Sequence, residues 1–319
     1  MKRIFTFLAV MLLVALAESA ERSSYQATWH VTNGTISVTA SARDAGAVSS
    51  LVYDGMEFIN DMDHGRQMQV AWFYDDLDEA YNPTESGAES DGRGPTSTSR
   101  LVSVKVDGKT LQTQSHPAFW RDLSVPKKHR KNTTLVTKDL LSKKLTLGYN
   151  NDPHIIVFDT TITISPELTG PPVKTLRIEA PTLYSNSTLS RHSQYDLASG
   201  EFRELPAHGT MKDQMNEVIR HVTRHDLIPI LSTPDGRHAI ALYAPHPEVF
   251  WAYYTHDVPS DDPANACGKI TAFFKHAVEP GRSYSYRTFI IVGDLAIIKA
   301  SVSNVRSQTN DTNSTQRNQ

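Results

Sequence analysis

The chain has 319 residues, 39% hydrophobic and 21% charged, with 32 basic and 35 acidic side chains and a formal net charge of -3. That length suits one large or two small folded domains, and the near balance of sign offers no field for a nucleic-acid partner. A single cysteine, Cys267, excludes an internal disulfide and any cysteine-based zinc site, so stability has to come from an apolar core.

In chain order, the first segment reads as an export signal. Lys2 and Arg3 precede the apolar run Ile4 to Ala17, and Ala15-Leu16-Ala17 supplies a small-x-small cleavage site. The expected organisation is a signal peptide within residues 1–20, one β domain over 21–303, and a disordered polar tail over 304–319. The mature protein is expected to be secreted, or periplasmic in a bacterium. No later run approaches the roughly 18 apolar residues of a membrane helix, so no membrane partner is expected for the mature form. Five N-x-[ST] sequons, at Asn33, Asn132, Asn186, Asn310 and Asn313, predict a glycoprotein if the source has that pathway.

The interior reads as strands nearly throughout. "TISVTA" (35–40), "GAVSSLVY" (46–53), "LVSVKV" (101–106), "HIIVFDTTITI" (154–164), "VKTLRIEA" (173–180), "HAIALY" (238–243), "VFWAYYT" (249–255), "KITAFFKHAV" (269–278) and "YSYRTFIIV" (284–292) are short, β-branched or aromatic, and often alternate with period two. Asp-Gly pairs at 54, 91, 107 and 235 supply hairpin turns, because glycine tolerates the positive φ they need. The one interior helix predicted is 211–222, and "KKHRK" at 127–131 reads as a solvated loop. Consecutive antiparallel strands without a linker predict an all-β fold, a large antiparallel β-sandwich.

At both ends the sequence resembles the galactose mutarotase-like β-supersandwich superfamily. "GAVSSLVYDGMEFIN" is similar to its opening hairpin, and "DDPANACGKITAFFKHAVEPGRSYSYRTFIIV" to its closing strands, where an acidic Pro-Asn loop precedes a strand, a Pro-Gly turn and a last strand. The resemblance implies a supersandwich with a carbohydrate-binding cleft on the concave face of one sheet. It also implies a sugar-binding role for Arg66 in "HGRQMQVA", and "SHPAFW" around His116 echoes the motif of the epimerases' general acid. The epimerases' general base has no counterpart before Asp257.

Read from the residues themselves, "DHGRQMQVAWFYDD" (63–76) sets His64, Arg66, Gln67 and Gln69 against an apolar run. On one strand these fall on both faces, so one set must meet a wet cleft. Arginine, histidine and amides suit the fixed hydroxyls of a sugar, and Arg66 suits a uronate carboxylate. The loop 78–95 adds Tyr81 as a stacking ring, Asn82 as a hydroxyl binder and Glu85 as an acid or base within reach of His64. In "RHVTRHD", His225 is a second acid/base candidate and Arg224 a further binding residue, while Val222 stands where a zinc protease needs glutamate. No metal or other cofactor is expected. The readings left open are a polysaccharide lyase or glycoside hydrolase, a non-catalytic carbohydrate-binding module, and an epimerase-like enzyme with a displaced base. In each the partner is a carbohydrate or polysaccharide.

Overall fold

The computed structural model describes residues 27–74, 82–121, 131–134, 136–167, 174–205, 226–245, 250–256 and 267–316, with the side chains of 250–256 and 309–316 outside the description. The first strands are β1 (Thr28–Thr32), β2 (Ile36–Ser41), β3 (Val48–Tyr53), β4 (Met56–Glu57), β5 (Met68–Tyr74), β6 (Pro83–Thr84), β7 (Arg100–Asp107), β8 (Thr110–His116), β9 (Ala118–Phe119) and β10 (Leu140–Tyr149). There follow β11 (Asp152–Thr163), β12 (Thr175–Asn186), β13 (Arg191–Asp196), β14 (Glu201–Glu204), β15 (Leu227–Ser232), β16 (Ala239–Tyr243), β17 (Phe250–His256), β18 (Cys267–Ala277), β19 (Ser283–Gly293) and the helix α1 (Leu295–Gln316).

These strands form two antiparallel sheets, as the alternating pattern predicts. The first runs β1-β2-β3-β5-β12-β18-β17, with β4, β6 and β9 attached at its side; the second runs β14-β13-β15-β16-β19-β11-β10-β8-β7. Their facing sides make the main core: Met68, Val70, Trp72, Ile178, Leu183, Ile270 and Phe274 from the first sheet meet Leu145, Phe158, Leu242 and Ile290 from the second. The hairpin signals hold at 54, 107 and 235, whereas Asp91-Gly92 ends a short 3₁₀ turn (Glu89–Asp91) between β6 and β7, which do not pair. Asp54 (φ 48°) and Gly55 (φ 73°) turn β3 into β4, and Asn150 (φ 49°) and Asn151 (φ 64°) turn β10 into β11 in the same doubly positive geometry. Cys267 is buried, and burial pushes its thiol up to about 12, in keeping with a small core residue rather than a nucleophile.

Two expectations are corrected. The stretch after Ser303 is not unstructured: α1 continues through it to Gln316. The helix forms because Ile298, Val302 and Val305, spaced four and three residues apart, share a stripe that packs on the outer side of the second sheet against Ile228, Ala241 and Phe289. The sequons have structural uses as well. In each of Asn33, Asn132 and Asn186 the side-chain Oδ1 accepts the backbone N–H of the threonine two residues on, at 3.0–3.1 Å. Their amide nitrogens donate to the carbonyls of Pro153, Phe119 and Glu57. Asn132 is 1% exposed, so this fold has no room for a glycan there. The predicted helix 211–222 lies outside the described residues.

A buried ion pair joins the sheets. Lys143 of β10 sits among the inward leucines and reaches Glu85, just after β6; their side chains are 1% and 0% exposed. The ammonium also donates to the Gly46 carbonyl at 2.9 Å, and Glu85 accepts the Val70 N–H at 2.9 Å. Removing one partner strands the other charge in the core, so Glu85→Gln or Lys143→Met alone should cost about 3–5 kcal/mol in urea unfolding. The double variant, whose glutamine oxygen still accepts from Val70, should lose clearly less than either single change.

Candidate functional site

A cavity of about 260 Å³ opens on the first sheet, on the side turned away from the second. Its floor is three neighbouring strands: Gln69, Ala71 and Phe73 from β5, Glu179, Thr182 and Tyr184 from β12, and Lys269 from β18. The alternate residues of the same strands, Val70 and Trp72, Ile178 and Leu183, Ile270 and Ala272, point into the core.

Period two alone would not place Glu179 and Thr182 on one face. Between the pairs Glu179↔Phe273 and Thr182↔Thr271, β12 takes three steps where β18 takes two, and the same shift occurs against β5. Ala180-Pro181 thus forms a bulge, and the inserted residue reverses the alternation so that Thr182 and Tyr184 follow Glu179 to the cavity side. Proline fits there because it has no N–H to give to a ladder.

Polar groups converge on this floor. Lys269 Nζ donates to both Glu179 oxygens, at 3.0 and 3.2 Å, and stands 5.1 Å from the Tyr184 ring centroid. Burial pulls the Lys269 ammonium down, but Glu179 and Tyr184 outweigh it and hold the group above its ordinary value. Gln69 is 2% exposed, and its amide oxygen accepts from the Ser86 N–H (3.1 Å) and hydroxyl (2.7 Å). Because an N–H needs an acceptor, that contact fixes the amide's orientation and turns its NH₂ away from Ser86. The Thr182 hydroxyl and the Asn82 side-chain Oδ1, both buried, make no hydrogen bond among the described residues.

The walls come from two turns. Asp63, Gly65 and Arg66 line one side, and Asn82, Thr84 and Trp120 the other. Trp120 lies so close to the chain at Gly65 that a Cβ there would be 2.9 Å from the ring, which only glycine avoids. Arg66 is held along the wall by Asp63 at 3.7 Å and by Met62 Sδ at 3.3 Å, with 13% of its side chain exposed.

Of the residues singled out in the sequence, Arg66, Gln69 and Asn82 line the cavity, while His64, Gln67, Glu85 and His116 do not. β5 begins only at Met68, so His64, Arg66 and Gln67 lie in turns and the strand alternation does not govern them. His64 is fully buried, and both ring nitrogens meet backbone carbonyls, of Gly92 at 2.9 Å and of Arg43 at 3.0 Å. It staples three turns together and has no nitrogen left for a substrate proton. Gln67 donates to Asp61 and to the Asp63 carbonyl, both at 2.6 Å, and so shapes the turn that carries Arg66. Glu85 is the partner of Lys143 between the sheets and does not reach the cavity. His116 is on β8 of the other sheet. Tyr81, Arg224 and His225 lie outside the described residues.

The cavity residues that sequence reasoning missed are Glu179, Lys269 and Trp120. Pro181 inside a strand-like run was the available signal, since proline in a central strand marks a bulge.

No family model matches the chain, and no curated protein does. The chain is similar to a galactose mutarotase related enzyme from Lactobacillus acidophilus, at 10% identity and TM-score 0.47, over 84% of this chain and 98% of that one. It is similar to a galactose mutarotase-like protein from Clostridium acetobutylicum, at 7% identity and TM-score 0.42, over 84% and 95%. A heparan sulfate lyase from Pedobacter heparinus matches at 7% identity and TM-score 0.41, over 81% of this chain and 33% of that one.

Next to the cavity wall, Asp44 is fully buried beside Asp61, with Ser41 and Arg43 as partners. Burial first, then the Asp61 charge, pushes its carboxyl up to about 6 from 3.8. A folded-state value above the unfolded one means that the fold takes up a proton as pH falls from about 6 towards 4, so stability is gained in that direction. Relative to Asp44→Asn, the wild type should gain about 1 kcal/mol between pH 7 and pH 5, read from urea unfolding at the two pH values. The similarity to galactose mutarotase-like proteins implied by the two ends of the sequence is thus also found among solved structures.

Proposed function

We propose that the cavity binds one sugar ring of a saccharide and that the chain is an exported carbohydrate-binding or carbohydrate-active protein. The observation that carries this reading is the pair of buried polar groups on the cavity that have no hydrogen-bond partner among the described residues, the Thr182 hydroxyl and the Asn82 side-chain Oδ1, beside the amide of Gln69. Leaving such groups buried and unpaired costs about 1–3 kcal/mol each, a cost relieved by a ligand that brings hydroxyls able both to donate and to accept. Trp120 offers the apolar face on which a sugar ring packs, and the volume lies below the roughly 300–1,000 Å³ of drug-sized clefts, as suits one ring. Export is supported by the pattern of residues 2–17.

Arg66 and Tyr184 on the same cavity favour one catalytic reading, a lyase. Arg66 pairs with a uronate carboxylate, which makes the neighbouring C–H more acidic. The Tyr184 oxygen, in its deprotonated form beside the Lys269 ammonium, takes that proton and returns it to the glycosidic oxygen, which leaves as a hydroxyl while the new double bond forms.

Calorimetric titration with neutral and uronate-containing oligosaccharides tests the binding. Thr182→Val should raise the stability of the free protein by about 1 kcal/mol, because an unpaired hydroxyl is removed, and weaken sugar binding several-fold. Arg66→Ala should weaken uronate ligands and spare neutral ones. Ultraviolet absorbance from unsaturated ends, lost in Tyr184→Phe, would establish the lyase reading, and heat from none of the sugars would sink the saccharide site.

A further inference from the structure

On the far edge of the second sheet, away from the sugar cavity, β7 pairs only with β8 among the described residues, so its other edge has no ladder partner there. Val102 (50%) and Val106 (42%), the two exposed large apolar side chains among the described residues, are both on this strand. Beside it runs a groove of about 640 Å³, whose apolar lining includes Trp29, Leu101, Val102, Val104 and Val136. At the strand's first residue the groove meets a second pocket, lined by Arg100, His116, Val136, Thr137 and Lys138, with Arg100 and Val136 shared between the two.

That second pocket has the character of an anion site. No carboxylate is among its described lining residues. Arg100 is exposed and makes no ion pair among the described residues, while Lys138 pairs at the surface with Glu167. His116 donates from Nδ1 to the Asp139 carbonyl at 2.7 Å, which leaves Nε2 as the open end of the ring. Thr137 is 4% exposed, and its hydroxyl has no partner among the described residues.

We propose that β7 and this pocket together take the C-terminal end of an extended, apolar peptide by strand addition. Polarity joins the two halves: a strand added antiparallel to β7 ends beside Arg100, so its terminal carboxylate meets Arg100, the charged residue that the groove shares with the anion pocket. Backbone hydrogen bonds along β7 hold the peptide, the valines and Trp29 receive alternate side chains, and the carboxylate fixes the register. The bulge at Leu101/Ser103 and the charge of Lys105 discourage indiscriminate edge pairing, so a strand without the anionic end gains little here.

Fluorescence anisotropy of an N-terminally labelled hexapeptide of alternating threonine and valine, added to the full chain as free acid and as C-terminal amide, tests this. The acid should bind at least ten-fold more tightly. Arg100→Gln should reduce it to the level of the amide, and Val102→Asp should abolish binding of both; both side chains are exposed, so the fold is retained, which unfolding curves verify. Equal affinity of acid and amide, or no binding of either, overturns the proposal. So does decanoate binding that Arg100→Gln removes while neither peptide binds, an outcome that assigns the groove to an acyl anion.

Discussion

One inserted residue in β12 decides what the cavity is made of. In a regular ladder Thr182 and Tyr184 would turn inward with Ile178, and Leu183 would turn out. Two hydroxyls would then be buried between the sheets and an apolar side chain would floor the cavity. The bulge at Ala180-Pro181 prevents this, and it sits where β12 is flanked by β5 and β18, so both neighbours contribute aligned side chains to the same floor. The interior and the cavity are thus two sides of a single register shift.

Two lysine–glutamate pairs show how surroundings separate structure from chemistry. Lys143–Glu85 lies between the sheets, sealed on all sides, where no molecule from solvent can reach either charge. Lys269–Glu179 is nearly as buried but lies on the cavity, so an arriving hydroxyl competes for either member. The same two residue types serve as a fastener in one place and as recognition groups in the other, and the difference lies in access rather than in chemistry.

This explains what could be read in the sequence. The strands were legible because β-branched and aromatic residues alternate over runs such as 154–164 and 284–292, and the Asp-Gly turn at 54 marked its hairpin. Arg66 and Asn82 were legible as cavity residues from their setting in polar turns. His64, Gln67 and Glu85 have the same polar character, yet they bond inward to carbonyls, a carboxylate and an ammonium. Nothing local distinguishes a polar residue that closes a turn from one that meets a ligand. Glu179 and Lys269, 90 residues apart, become partners only when the register of β12 against β18 is known, bulge included. The helix α1 was hidden by its polar second half, although the stripe of Ile298, Val302 and Val305 begins before the composition changes.

The asparagine turns bear on the order of events in biosynthesis. Asn132 satisfies Thr134 through its oxygen and Phe119 through its nitrogen, and it is sealed from solvent. Its Asn-Thr-Thr motif is therefore open to a glycosyltransferase only while the chain is still unfolded. In a cell that glycosylates during export, the modifying enzyme and the closing fold race for the same amide. A chain modified first cannot bury that turn, so the partition between the two routes sets the yield of native protein through rates rather than equilibrium stability.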